Sequence, residues 1–256
     1  MVNTPPNCIL VTPVYKDAAR LAGFGPGLAE ALAKADLPIR WVIADDGSGE
    51  VEHHHLESQL EIYRQVFPDV EFFKLNRHRG KGAAVRGAWS KYGGSGIDWL
   101  AFVDADGSVS AETTLRLIRE AGALGMGHAI LGARLNTSNT KVERTALRLL
   151  AGGGFAFLAR IILGLNVRDV QCGVKVVSQS DYVAIGPSLN EDGLAFDAEL
   201  LYALKRLGTR LVASPIDWAE KSGGQVGPLK SALPMLFSLL RVKAKSVAGR
   251  YAQKKA

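Results

Sequence analysis

Trp99-Leu100-Ala101-Phe102-Val103-Asp104-Ala105-Asp106-Gly107 joins a short apolar block to two carboxylates one residue apart. The block is too short to span a membrane and has the length and aromatic content of a core strand. Side chains alternate along a strand, so Asp104 and Asp106 point the same way if that geometry continues. Gly107 permits an immediate turn. Two hard oxygen donors converging at a strand end suit Mg²⁺ or Mn²⁺. Taken alone, an Asp-x-Asp-Gly is more readily a solvated turn, because Asp and Gly are ordinary turn residues. The surrounding chain decides between the two.

Upstream, Cys8-Ile9-Leu10-Val11 reads as a buried strand closed by Thr12-Pro13-Val14-Tyr15. Pro13, with no N–H to pair, is expected to take the chain out of the sheet. Residues 21–34 carry helical spacing. Residues 39–44 are an apolar run that ends in Asp45-Asp46-Gly47-Ser48. Residues 51–67 are helical and 70–75 form a third strand. The Gly-rich basic loop 76–82 then opens a helix over 83–92. Beyond Gly107 come a helix over 113–124 and a short strand over 129–132. This alternation predicts an α/β fold: a Rossmann-like, mostly parallel central sheet with helices on both faces. Ligands of such sheets bind beyond the carboxyl ends of the strands. Pro13–Tyr15, Asp45–Ser48, Asn76–Lys81 and Asp104–Asp106 all fall at such ends, whereas loops that were merely solvated would fall equally at both.

The second half is less regular. Residues 135–142 form a polar loop. Residues 144–165 are strongly apolar and helical, with Gly152-Gly153-Gly154 inside. Each glycine costs a helix about 1 kcal/mol relative to alanine, so a break or close packing is expected there. Asp169-Val170-Gln171-Cys172-Gly173-Val174-Lys175 leads into a strand over 174–177, and residues 196–207 form a helix with Asp197 and Glu199 in its first turn. A strand over 211–216 and a Gly-rich loop over 221–227 follow. From Leu229 the chain is an amphipathic, basic tail, with Leu233, Leu236, Phe237 and Leu240 on one side. The sequence divides into one domain over 1–227 and this helical tail over 228–256.

The 256 residues, 47% hydrophobic and 22% charged, suit a soluble globular protein. The net charge of +6 favours anionic partners. Two cysteines, Cys8 and Cys172, suit free buried thiols in a reducing compartment. The polar N-terminus is neither a signal peptide nor a span, and no apolar run reaches the roughly 18 residues of a spanning helix. The expected place is the cytoplasm, in solution or on the cytoplasmic face of a membrane that the tail touches. No nucleic-acid motif appears, and the basic residues are interleaved with acids, so nucleic acid is not an expected partner.

Asp45 and Asp46 can accept hydrogen bonds from a base or ribose. Asn76-Arg77-His78-Arg79-Gly80-Lys81-Gly82 has the composition of a phosphate loop, with exposed backbone N–H groups and added charge, but not the spacing of a P-loop. With Asp104 and Asp106 holding a metal, the set makes a nucleoside-diphosphate site. His53-His54-His55 face different directions on a helix and read as surface. Tyr15, Trp99 and Trp218 read as packing residues.

In their order and spacing, Val11-Thr12-Pro13-Val14-Tyr15, Asp45-Asp46-Gly47-Ser48, residues 76–82, Asp104-Ala105-Asp106-Gly107 and Asp169-x-Gln171-Cys172-Gly173-x-Lys175 resemble glycosyltransferase family 2 with the GT-A fold. Arg144-Thr145, residues 196–202 and Asp217-Trp218 narrow the likeness to the polyprenyl-phosphate subgroup, the dolichyl-phosphate β-glucosyltransferases first and the mannosyltransferases next. The resemblance implies an inverting, metal-dependent transfer of a hexose to a lipid phosphate, from UDP-glucose with GDP-mannose as runner-up. It places Pro13, Tyr15, Asp45, Asp46, Lys81, Asp104 and Ala105 on the donor and Asp104 and Asp106 on Mg²⁺ or Mn²⁺. Asp197, Asp169 and Gln171 would be the catalytic set, and Arg134, Arg144 and Lys221 would meet the acceptor phosphate, whose oxygens an Arg fork fits. A phosphate acceptor is largely ionised at neutral pH and needs no strong base. A soluble or polysaccharide hydroxyl acceptor, the alternative, would need one, with Asp197 or Asp169 as candidate. The chain departs from the subgroup's Gly-Ser-Lys with Gly223-Gly224-Gln225, so that a phosphate-contacting lysine is either lost or replaced by Lys221, and no spanning helix of the kind many relatives carry is expected in it.

Overall fold

The computed structural model describes residues 7–138, 140–143, 146–221 and 228–251. The stretch at 99–103 is β4 (Trp99–Val103), and all five of its side chains are buried. A strand covered on both faces needs such an unbroken apolar run. On one side it pairs in parallel with β1 (Cys8–Val14), followed outward by β2 (Ile39–Asp45) and β3 (Val70–Lys74). On the other it pairs antiparallel with β7 (Val174–Ser178), then come β5 (His128–Ala133) and β8 (Arg210–Pro215). The seven-stranded order is β3-β2-β1-β4-β7-β5-β8. Only β7 runs against the rest, so the sheet is mostly parallel. Two apolar cores lie against it, one on each face.

The connections are helical. They are α1 (Ala18–Lys34), α2 (Glu50–Val66), α3 (Lys81–Tyr92), α4 (Ala111–Leu124) and α5 (Ala146–Leu163), then α6 (Gln179–Ile185) and α7 (Phe196–Leu207). The chain builds outward from β1 to β3 and returns to β4, so β1 and β4 flank the point where the strand order reverses, the usual ligand crevice of such sheets. A two-residue parallel pair, β6 (Val142–Glu143) with β9 (Trp218–Ala219), ties down the polar loop. The C-terminal helix α8 (Pro228–Val247) lies along α5 and sends Met235, Leu239 and Val242 into the core. Among the described residues no helix is long and apolar enough to cross a membrane.

Three expectations need correction. Pro13 does not end β1, which continues to Val14 opposite β2. Backbone groups alternate sides along a strand, and the Val14 carbonyl accepts from Asp46 on the β2 side. The missing N–H of Pro13 therefore faces β4, whose pairing with β1 has already stopped at Val11. Gly152-Gly153-Gly154 does not break α5, which runs on to Leu163 with Phe155, Ala159 and Leu163 buried. Tertiary packing of that stripe outweighs the glycine cost. The basic tail is not a one-sided amphipathic helix, since its buried stripe is Met235, Leu239 and Val242, while Leu233, Phe237 and Leu240 are exposed.

Candidate active site

Beyond the carboxyl ends of β1 and β4 lies a cavity of about 570 Å³, walled by Pro13 to Tyr15, Asp17 and Arg20, by Asp46 and His78 to Lys81, by Asp104 to Asp106, and by Gly193 and Leu194. Four of its walls are the polar stretches that follow β1, β2, β3 and β4.

Asp46 couples two of those walls. Its Oδ1 accepts from the Arg79 N–H at 2.9 Å and its Oδ2 from the Gly80 N–H at 2.7 Å. His78 Nδ1 lies 2.9 Å from Asp46 Oδ2, and the His78 ring stacks on Tyr15 with centroids 3.7 Å apart. Gly80 has φ +127°, and a Cβ there would lie 2.5 Å from the Asp192 carbonyl oxygen, so only glycine lets the loop pass before α3 begins. The opposing loop 190–195 is held from behind. Glu199 Oε2 accepts from the Asn190 and Glu191 N–H groups at 2.7 Å each, while Tyr251 donates to Glu199 Oε1 at 2.7 Å. Arg79 and Arg86 both reach the Asp192 carboxylate.

The floor is a line of alternating charge. Lys175, fully buried, donates to Asp197 Oδ1 at 2.5 Å and to the Cys172 carbonyl at 2.9 Å. Asp197 Oδ2 lies 3.5 Å from Lys81 Nζ, which is 2.7 Å from Asp104 Oδ1 and sits over the Phe102 ring at 4.5 Å. Asp106 Oδ1 accepts from the Ser108 N–H at 2.9 Å, and its Oδ2 lies 3.5 Å from Arg20, itself paired with Asp17. Burial alone would lower the Lys81 ammonium, but Asp104 and Asp197 together outweigh it and hold the group charged. Burial raises the Asp104 carboxyl, Lys81 opposes the shift, and Asp106 and Asp197 add to it.

The Asp104 and Asp106 side chains both line the cavity. Hard oxygen donors from two carboxylates, with remaining positions left to phosphate oxygens and water, are what Mg²⁺-like ions take in nucleotide sites, so the donor set fits such a cation. The geometry depends on Gly173, whose N–Cα–C unit backs Asp104 so closely that a Cβ would overlap Oδ2. Gly173→Ala is expected to push the whole Asp104 side chain aside, since the new Cβ would lie 2.8 Å from Cγ and 3.1 Å from Cβ besides overlapping Oδ2, at a cost of about 1–3 kcal/mol. Metal-dependent nucleotide binding should fall tenfold or more on the same scale of reasoning, about 1.4 kcal/mol. Calorimetric titration with and without the metal checks this, and wild-type affinity in the variant overturns it.

The remaining expected residues are distributed differently. Asp45 does not line the cavity. It is fully buried at the end of β2, accepting from the Ser48 N–H at 3.2 Å and from His53 Nε2 at 2.5 Å. His53 is accordingly no surface residue, and Asp45 shapes the loop that presents Asp46. Asp169 and Arg134 form a two-point pair away from the cavity wall, Nε to Oδ2 at 2.7 Å and Nη2 to Oδ1 at 2.8 Å, with the guanidinium over Trp218. Gln171 points at Met235 Sδ, 3.9 Å away. Lys221 is exposed and lines a recess with Glu112 that shares Arg20 and Asp106 with the cavity. Arg144 and Gly223 to Gln225 lie outside the described residues. Cys8 and Cys172 are free and buried.

Arg20, His78, Lys175 and Glu199 are the participants that sequence reasoning missed. His78 in the basic loop, Glu199 beside Asp197, and Lys175 between valines in an otherwise apolar strand each left a signal, and Arg20 left none. Burial would raise the Asp169 carboxyl, but the hydrogen-bonded Arg134 outweighs it and holds the group below the ordinary carboxylate range. A lowered folded-state value adds stability that is fully present above about pH 4 and is lost as pH falls through that value. Asp169→Asn is expected to flatten the acid side of the stability profile below about pH 4. At pH 7 it should cost about 1.5–3 kcal/mol as Arg134 loses a charged acceptor. Urea unfolding across pH 2–7 reads both, and an unchanged acid slope would contradict the assignment.

Comparison with known proteins places this geometry. The model of the family "Glycosyl transferase family 2" matches residues 10–185. The dolichyl-phosphate beta-glucosyltransferase of Dictyostelium discoideum is 27% identical, over 94% of this chain and 75% of its own length. That of Mus musculus is 28% identical, over 94% and 76%. Among solved structures, glucosyl-3-phosphoglycerate synthase from Mycobacterium tuberculosis, in complex with Mn²⁺, UDP and glucosyl-3-phosphoglycerate, superposes with a TM-score of 0.63 at 14% identity, over 98% of this chain and 82% of that one. Mannosyl-3-phosphoglycerate synthase from Rubrobacter xylanophilus gives 0.63 at 17% identity, over 98% and 77%. At such identities the likeness speaks for the fold, and that fold is GT-A.

Proposed function

Because the chain belongs to glycosyl transferase family 2 and is a glycosyltransferase, we propose that it moves glucose from UDP-glucose to a polyprenyl phosphate of the dolichyl type, with inversion and with a divalent cation, Mg²⁺ or Mn²⁺. The names of its relatives support the acceptor and the sugar. The observation that carries the reading is the state of the two candidate bases. Asp197 is enclosed between Lys175 and Lys81, and Asp169 is clamped by Arg134. A hydroxyl acceptor needs a free base beside it. A phosphate monoester arrives already ionised, and asks only to be held in line with the departing diphosphate.

Asp46, Tyr15 and His78 shape the end of the cavity that takes the nucleoside, and Lys81 carries charge toward the diphosphate. Asp104 and Asp106 would hold the metal, which, when bound, stabilises negative charge on the leaving diphosphate. Lys81 holds Asp104 Oδ1, leaving Oδ2 for the cation. Arg134, anchored by Nε and Nη2, and Arg144 are proposed to meet the acceptor phosphate. The test is transfer of labelled glucose from UDP-glucose, with Mn²⁺, to dolichyl phosphate in detergent. Label should enter the lipid phase as the β-linked phosphodiester, and dolichol without phosphate should give none. Transfer to a hydroxyl acceptor instead would overturn the reading.

A further inference from the structure

α5 and α8 pack against each other over one core, and each carries two apolar stripes rather than one. On α5 the buried stripe is Phe155, Ala159 and Leu163, while Phe157 and Ile161 are 61% and 63% exposed. On α8 the buried stripe is Met235, Leu239 and Val242, while Leu233, Phe237 and Leu240 are 47–66% exposed. At 100° per residue the exposed stripe of each helix lies about 180° from its buried one. Both therefore point straight outward from the same layer, and together they make one apolar face on adjacent helices. Contiguous exposed apolar surface of this kind marks an interaction site.

The charge around that face selects its partner. Neither helix contains a single Asp or Glu. Exposed Arg160 and Lys243 flank the apolar stripes, where long cationic side chains can reach a surface while their stems stay in apolar contact. Glu191 and Asp192 stand beside α8, with Glu191 paired to Arg241, but the exposed stripes are flanked on their own helices by cations alone, a pattern suited to the headgroup region of an anionic bilayer. We propose that α5 and α8 form a two-helix face that seats this protein on an anionic lipid surface. The proposal deepens the lipid-phosphate reading and rests on it for the choice of a bilayer over a protein partner. Met235, on the opposite side of α8 from that face, lines a recess that shares Gly193 and Leu194 with the donor cavity.

The test is co-sedimentation of the full chain with vesicles of phosphatidylglycerol and phosphatidylcholine, against phosphatidylcholine alone, at low and high salt. Binding should need the anionic lipid and weaken with salt. Phe157→Ser with Phe237→Ser should lower partitioning about tenfold or more, while metal-dependent stabilisation by UDP-glucose stays as in the wild type. Arg160→Glu with Lys243→Glu should do the same through charge alone. Absence of wild-type binding to the anionic vesicles, or unchanged binding in both variants, overturns the proposal. So does a concentration-dependent dimer that the Phe157 and Phe237 changes dissolve. Vesicle binding without any transfer to dolichyl phosphate would instead count against the acceptor assignment and leave the face standing.

Discussion

Lys175→Met is expected to lower the unfolding free energy by about 3–5 kcal/mol, the range for removing one partner of a buried ion pair. Lys175 is fully enclosed in β7, and among the described residues it donates to Asp197 and to the Cys172 carbonyl. Methionine fills nearly the same volume, so the loss is electrostatic and not a cavity. Asp197, 2% exposed, then keeps one cation, Lys81, at 3.5 Å. Left short of charge, Asp197 draws on Lys81, which loosens its grip on Asp104 Oδ1 across the cavity floor. Donor affinity should fall along with stability. The double variant Lys175→Met with Asp197→Asn removes the uncompensated carboxylate and should recover part of the stability, giving a favourable coupling in a double-mutant cycle. Urea unfolding with a constant m-value measures it. A loss under about 1 kcal/mol would mean that water reaches Asp197, against its burial.

What the sequence disclosed follows from what is local. Asp104, Asp106 and the apolar run before them are contiguous, so strand, turn and paired carboxylates are all legible within nine residues. Likewise, the polar stretches at strand ends mark the crevice, because in a parallel sheet those ends share one edge. Direction is not encoded that way. A fully buried pentapeptide such as Val174 to Ser178 packs equally well parallel or antiparallel, so the reversal of β7 is absent from its own residues. Pairings between distant elements were hidden for the same reason. Lys81 announces a phosphate loop, yet its contact with Asp104 and Asp197 exists only once α3, β4 and α7 meet. Asp45 and Asp46 are adjacent and chemically identical. The alternation of a strand end turns one inward to His53 and Ser48, and the other to the cavity. Assigning both to the donor from sequence merged a structural carboxylate with a site carboxylate.

Asp104→Asn is expected to cut kcat/KM for glycosyl transfer about a thousandfold, a loss of about 4 kcal/mol of transition-state stabilisation. The side chain sits at the mouth of β4, 35% exposed, with Oδ1 committed to Lys81 at 2.7 Å. An amide of the same shape keeps an acceptor for Lys81 but removes the negative charge that a divalent cation and the diphosphate around it would share. The fold should be nearly unaffected, since burial already works against the charged form of Asp104. Asp106→Asn should cost less, because the amide oxygen can still accept from the Ser108 N–H. Thermal unfolding separates charge from packing. In the wild type, UDP-glucose at 100 times its dissociation constant with Mn²⁺ should add about 2.7 kcal/mol. In Asp104→Asn that increment should shrink to what the nucleotide gives without metal. A variant that keeps a tenth of the activity, or the full metal-dependent increment, would place the cation elsewhere and leave Asp104 as no more than the counter-ion of Lys81.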